Sequence, residues 1–286
     1  MTTDGLLAVH TYRRASGTTT LPLVLLHGFP LDRRMWDDVV GLLPGDRPVL
    51  ALDLPGLGAS PSGEDVAEAL GRAGEVSLEV AADAVASTLA DLDVDSAVVA
   101  GLSMGGYVAM ALAERHPDLV AGLALLDTKS TADAPQAVAN RLRIADAVVA
   151  ETSLEPVLGM RTTLLGETDR TLRPDLVARL EQWILDQGPA GVAWSQRAMA
   201  ARPDRTGVLE AFPRPSVVVV GDEDELSPVD AAEHMDRALA LDVDDALRVE
   251  LTVLPRVGHM STIEAPEPVA IALSALSAKA DVVAGR

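Results

Sequence analysis

The sequence predicts an α/β fold built on a mostly parallel sheet with helices on both faces, and two patterns carry that expectation. Short apolar runs bounded by Gly, Pro or Asp recur at Leu23 to Leu26, Val49 to Leu52, Ala97 to Ala100, Leu123 to Leu126, Val217 to Val220 and Leu251 to Leu254. They are continuous rather than alternating, as strands buried on both faces are. Segments with helical spacing lie between them: from Leu78 the residues Ala81, Ala82, Val85, Leu89 and Leu92 share one stripe, and Val108, Ala111 and Leu112 share another. Alternating strands and helices point to a layered α/β sheet.

A third pattern divides the chain. Between Ser130 and Phe212 no strand is expected, while 137–150, 173–186 and 191–201 read as helices. With no Gly/Ser-rich linker at either end, residues 130–212 are expected to be a helical lid on one core, formed by 1–129 and 213–286.

Composition bounds the function. The 286 residues are 48% hydrophobic, enough for a large buried core. The net charge of -20 offers no basic cluster for phosphates, so a nucleic-acid partner is not expected. The chain has no cysteine, which excludes disulfides, thiolate nucleophiles and Cys-type zinc sites. The N-terminal segment lacks the pattern of a signal peptide, and no uncharged apolar run is long enough to span a bilayer. A soluble cytoplasmic protein with no membrane partner is the expectation.

The sharpest motif is Gly101-Leu102-Ser103-Met104-Gly105-Gly106, between the run ending at Ala100 and the helical segment from Tyr107. This is G-x-S-x-G in a strand-turn-helix setting. A nucleophile on so tight a turn takes strained backbone angles, and the glycines leave room for the chain to fold back. Ser103 is the candidate nucleophile, and the N–H of Met104 at the helix N-terminus is a candidate oxyanion donor.

A serine hydroxyl needs a base. Of the five histidines, His10, His27, His116 and His234 read as structural or solvated. His259, in a loop after the final strand run, stands where parallel sheets place their sites. Two aspartates compete to orient it: Asp224, in the acidic loop 221–228, and Asp127, at the end of the run Leu123 to Leu126. Chain order does not separate them. The four consecutive carboxylates 222–225 also allow a structural cation site. Ser227 and Asp230 form a capping box with Pro228 at the first helical position. His27-Gly28-Phe29-Pro30 follows the first of these strand runs, so Phe29 N–H is the second oxyanion candidate and His27 a loop scaffold.

HGFP, DLPGLGAS at Asp53 to Ser60, GLSMGG, GDEDELSP and PRVGHM, in this order, resemble the α/β-hydrolase superfamily, over nearly the whole chain except the lid. The sequence looks most like small lidded bacterial serine esterases and 3-oxoadipate enol-lactonases. The resemblance implies the α/β-hydrolase fold, Ser103 as nucleophile, Asp224 of G-x-x-D-x-x-x-P as acid and His259 as base. It also implies oxyanion donors at Phe29 and Met104, a structural role for Asp53, and carboxylic ester or lactone hydrolysis with no metal or cofactor. Cofactor-free perhydrolases and C–C bond hydrolases share the triad. A non-catalytic receptor on the same scaffold is the reading from another class, and members of that kind usually lose a triad residue. Small-molecule specificity is expected in the lid and beside it, with Leu31, Met160, Trp183 and Trp194 as candidate contacts. An anionic lactone would need an arginine, and Arg141, Arg143, Arg161 and Arg197 are available.

Overall fold

The computed structural model describes residues 6–14, 20–240 and 249–285. Among the described residues seven strands form one sheet: β1 (Val9–Arg13), β2 (Leu23–Leu26), β3 (Val49–Leu52), β4 (Ala97–Leu102), β5 (Val120–Leu126), β6 (Ser216–Gly221) and β7 (Thr252–Leu254). Their order is β1-β3-β2-β4-β5-β6-β7, with β1 antiparallel to β3 and every other pair parallel. Every residue of β2, β3, β4 and β6 is buried, which is why these strands read as continuous apolar runs. β1 is not a continuous apolar run, although the segment holding His10 reads as strand-like in the sequence. Four of its five residues are only partly buried, as befits an edge strand.

On the core, α1 (Asp37–Leu42), α2 (Gly63–Ala69), α3 (Leu78–Asp91) and α4 (Met104–Arg115) precede β5. Between β5 and β6 the chain is helical only: α5 (Pro135–Glu151), α6 (Glu155–Leu158), α7 (Met160–Thr163), α8 (Glu167–Leu172), α9 (Pro174–Leu185), α10 (Pro189–Ala200) and α11 (Thr206–Glu210). The three helices expected there are α5, α9 and α10. The other four have six residues or fewer, too short to show a period. After β6 come α12 (Val229–Leu239), α13 (Ser261–Glu264) and α14 (Pro266–Val283). The capping box does not form. Pro228 itself caps α12 with no side-chain bond, and Ser227 N–H donates to Asp224 Oδ1 at 3.0 Å instead.

Parallel register brings the strand ends to one edge, with Leu26 opposite Gly101, Leu102 opposite Leu126, and Gly221 opposite Leu254. The chain runs from β2 to β3 on one side and returns to β4 on the other. A crevice opens at such a reversal of strand order, and the loops after β2 and β4 border it. None of the helices among the described residues is long and apolar enough to cross a membrane.

The helical segment between β5 and β6 is fastened to the core by close contacts. A Cβ on Gly191 would fall 1.7 Å from Gly56 O, and one on Gly63 would fall 2.3 Å from the Trp194 ring. Gln187, just after α9, donates to Asp32 at 2.9 Å and accepts from Gly58 N–H at 2.9 Å. Burial alone would raise the Asp32 pKa, but the guanidinium and N–H of Arg34 and the Gln187 amide bring it down to about 2.

Candidate active site

Ser103 occupies the turn from β4 into α4 with φ 52° and ψ -112°, a left-handed conformation rare for a residue with a side chain. Two glycines make the turn possible. A Cβ on Gly101 would lie 2.2 Å from Gly105 O, and one on Gly105 would lie 2.2 Å from Leu26 O, so α4 begins against the end of β2. The Ser103 N–H donates to Leu126 O at 2.9 Å, and Thr128 Oγ1 donates to Ser103 O at 2.8 Å. These bonds hold the strained residue in place.

His259 reaches Ser103 from the loop after β7, with Ser103 Oγ 2.8 Å from Nε2. Its Nδ1 donates to Asp224 Oδ2 at 2.8 Å. Asp224 Oδ1 accepts from the N–H groups of Leu226 and Ser227 at 2.8 and 3.0 Å, so its second oxygen stays aimed at the imidazole. His259 and Asp224 are both buried. The Nδ1–H tautomer leaves Nε2 free to accept the serine proton.

Asp127, the competing acid, does not reach His259. Its Oδ1 accepts from Gly221 N–H at 3.1 Å and its Oδ2 bonds the Ser261 hydroxyl. Burial, with the Asp224 carboxylate nearby, pushes its pKa well above the ordinary range. Asp127 therefore fastens the β6 end to the start of α13, the helix that follows the histidine loop. The carboxylates of 222–225 do not gather around a common centre. Asp222 accepts from Arg256 N–H, Glu223 from Thr168, and Asp224 serves the imidazole. Among the described residues no group of three His, Asp or Glu side chains is arranged to hold a metal.

Met104 opens α4, so its N–H has no acceptor within the helix and remains available. Phe29 follows β2 and lines the same cavity as Ser103. His27 binds loops together: Nδ1 donates to Gly28 O at 3.0 Å and Nε2 accepts from Leu54 N–H at 2.8 Å. Asp53 accepts from Arg33 N–H and Ala59 N–H, as a loop-holding residue does.

A cavity of about 340 Å³ opens on Ser103 and His259 beneath α5, α7 and α10. Of the four expected substrate contacts only Met160 lines it. Leu31 is fully buried in the core. Trp194 is buried against Gly63, and Trp183 lies between Arg34 and Arg179, whose guanidinium carbons stand 5.7 and 5.3 Å from its ring. Both tryptophans therefore serve packing between the helical segment and the core. The cavity wall also includes Tyr107, Lys129, Asp133, Asn140, Arg141 and Gln196. Tyr107 stands four residues after Ser103 and Lys129 three after β5, positions that motif and strand end point to. The others sit on helix faces whose orientation no local pattern reveals.

The family model for the alpha/beta hydrolase fold matches residues 22–266. A pimeloyl-[acyl-carrier protein] methyl ester esterase of Aromatoleum aromaticum is 30% identical over 275 residues, covering 92% of this chain and 98% of the relative. A thermophilic esterase from Thermogutta terrifontis, solved with malate bound, superposes with TM-score 0.84 at 34% identity, over 96% of this chain and 93% of the other. The enol-lactonase of Burkholderia xenovorans LB400 superposes with TM-score 0.78 over 94% and 95% of the two chains, and at 21% identity the likeness concerns the fold. Sheet order, the turn that carries Ser103 and a family match over most of the sequence all agree, and the chain belongs to the alpha/beta hydrolase fold family.

Proposed function

We propose that this chain is a serine hydrolase that cleaves a small carboxylic ester or lactone through an acyl-enzyme. The observation that carries the reading is the unbroken chain of hydrogen bonds from Ser103 Oγ through His259 to Asp224. Nε2 of His259 takes the Ser103 proton as Oγ attacks the carbonyl carbon. Negative charge then develops on the carbonyl oxygen, and the N–H groups of Met104 and Phe29 are the donors assigned to it. Asp224 keeps the imidazole in its working tautomer and stabilises the imidazolium. His259 gives its proton to the departing alkoxide, and water activated by the same nitrogen releases the acid. In a lactone the departing oxygen stays tethered to the acyl group, and the product is a hydroxy acid.

Residues 130–212 act as the lid in this reading, roofing the acyl site with α5, α7 and α10. The esterase names of the relatives at 30% and 34% identity support ester cleavage over the perhydrolase and C–C alternatives. The test is to trap the intermediate. Wild type quenched in acid during turnover of p-nitrophenyl acetate should carry one acetyl group on the peptide containing Ser103, and Asp224→Asn should carry little. Acetylation confined to lysines would contradict the mechanism.

A further inference from the structure

The cavity beside Ser103 is cationic in a protein that is otherwise strongly acidic. Its wall holds Lys129 and Arg141 with a single carboxylate, Asp133. Directly behind, Arg202 binds Asp133 through both oxygens, at 2.7 and 2.9 Å, with 2% and 1% of the two side chains exposed. Arg141 Nε donates to Asp133 Oδ2 at 2.6 Å, and Lys129 Nζ lies 3.5 Å from Oδ1. Three cations thus share one anion, and the carboxylate is already committed to Arg202 on two bonds. The cluster keeps a surplus of two positive charges, on side chains about one quarter and one fifth exposed.

The two arginines also have fixed places. Arg202 is held by Thr131 O and Met199 O and stacks on the Tyr107 ring at 4.1 Å. Arg141 NH1 is oriented by Gln196 Oε1 at 3.1 Å. A half-buried, oriented guanidinium beside an ammonium forms a receptor for a carboxylate. The remaining arginines named from the sequence are engaged elsewhere, Arg143 with Asn140, Arg161 with Glu181 and Arg197 with Asp146.

We infer that the substrate carries a second, ionised carboxylate, which Lys129 and Arg141 bind while Ser103 attacks the ester. The inference rests on the serine-hydrolase reading and narrows it to half-esters of linear dicarboxylic acids. The cavity, near the lower end of the usual small-molecule range, suits acids of this size.

The experiment compares the monomethyl esters of succinic, adipic and suberic acids with methyl butanoate, hexanoate and octanoate, their neutral counterparts of equal chain length. In the wild type at least one half-ester should exceed its counterpart in kcat/KM by about tenfold or more, since a site built for a polar group discriminates strongly against its absence. That ratio should collapse in Lys129→Gln and Arg141→Gln, and Arg141→Lys should recover part of it. Neutral esters turned over equally well or better at every length would overturn the inference and leave the hydrolase reading standing. So would a preference that survives both substitutions. Calorimetric binding of monomethyl adipate to Ser103→Ala separates the two claims further. Binding that Arg141→Gln abolishes, with no turnover by wild type, would uphold the anion site and reject Ser103 chemistry. Absence of both would remove the inference together with the reading beneath it.

Discussion

The carboxylates of Asp224 and Asp127, two buried aspartates that lie close together, share none of their hydrogen-bond partners. In the proposed mechanism Asp224 orients the base, so Asp224→Asn should lower kcat by about 10⁴-fold, and Ser103→Ala by about 10⁶-fold, as in other serine triads. Asp127 is a fastener whose neutral form the fold favours. An amide can make both of its bonds, with Oδ1 accepting from Gly221 N–H and Nδ2 donating to Ser261 Oγ. Asp127→Asn should therefore keep activity within a few fold of wild type. Its folded pKa is raised, so ionisation opposes folding above the ordinary carboxylate range, and the variant should melt at or above the wild-type temperature at pH 8. Steady-state kinetics and thermal melts of both variants check this. A dead Asp127→Asn beside an active Asp224→Asn would reverse the assignment. Motif context made Ser103 and His259 legible from sequence. Both aspartates follow strands in the same chain order, so residue spacing leaves the acid open, and the bonds each one makes tell them apart.

At the scale of elements, the contacts that seat the helical segment on the core are as specific as the site beneath it. Gly191→Ala would drive a methyl group into the Gly56 backbone, which cannot yield as a side chain tip can. That variant should melt well below wild type and lose activity, because α10 carries the cavity residues Gln196 and Met199. Asp32 joins the loop before α1 to the end of α9, and its depressed pKa is a stability contribution. Asp32→Asn should cost about 2 kcal/mol at neutral pH. The folded pKa lies below the unfolded one, so the contribution is present above about pH 4 and is lost as pH falls toward about 2. Urea melts of both proteins at pH 7 and pH 3 should show the gap closing in acid, and a gap independent of pH would contradict it. The core elements were legible because a doubly covered parallel sheet writes itself as continuous apolar runs. Which faces of the inserted helices turn to the cavity was not, since packing against a neighbour decides it. The tryptophans illustrate the point: large aromatics on amphipathic helices went to the joint with the core rather than to the cavity.

For the molecule as a whole, 43 acidic against 23 basic residues set the behaviour in salt. Self-repulsion opposes compaction, and screening relieves it. Raising sodium chloride from about 10 mM to about 150 mM, which shortens the Debye length from about 30 Å to about 8 Å, should raise Tm. A flat or falling Tm by calorimetry would mean that local ion pairs outweigh the global field. The cationic pocket stands against that background. Ester hydrolysis through Ser103 is tested by turnover of short-chain p-nitrophenyl esters with parallel fluorophosphonate labelling, in wild type and Ser103→Ala. Turnover and one label per chain are expected in the wild type, both lost in the variant. Turnover that persists in Ser103→Ala, or a wild type that neither reacts with the probe nor cleaves any ester, would contradict it.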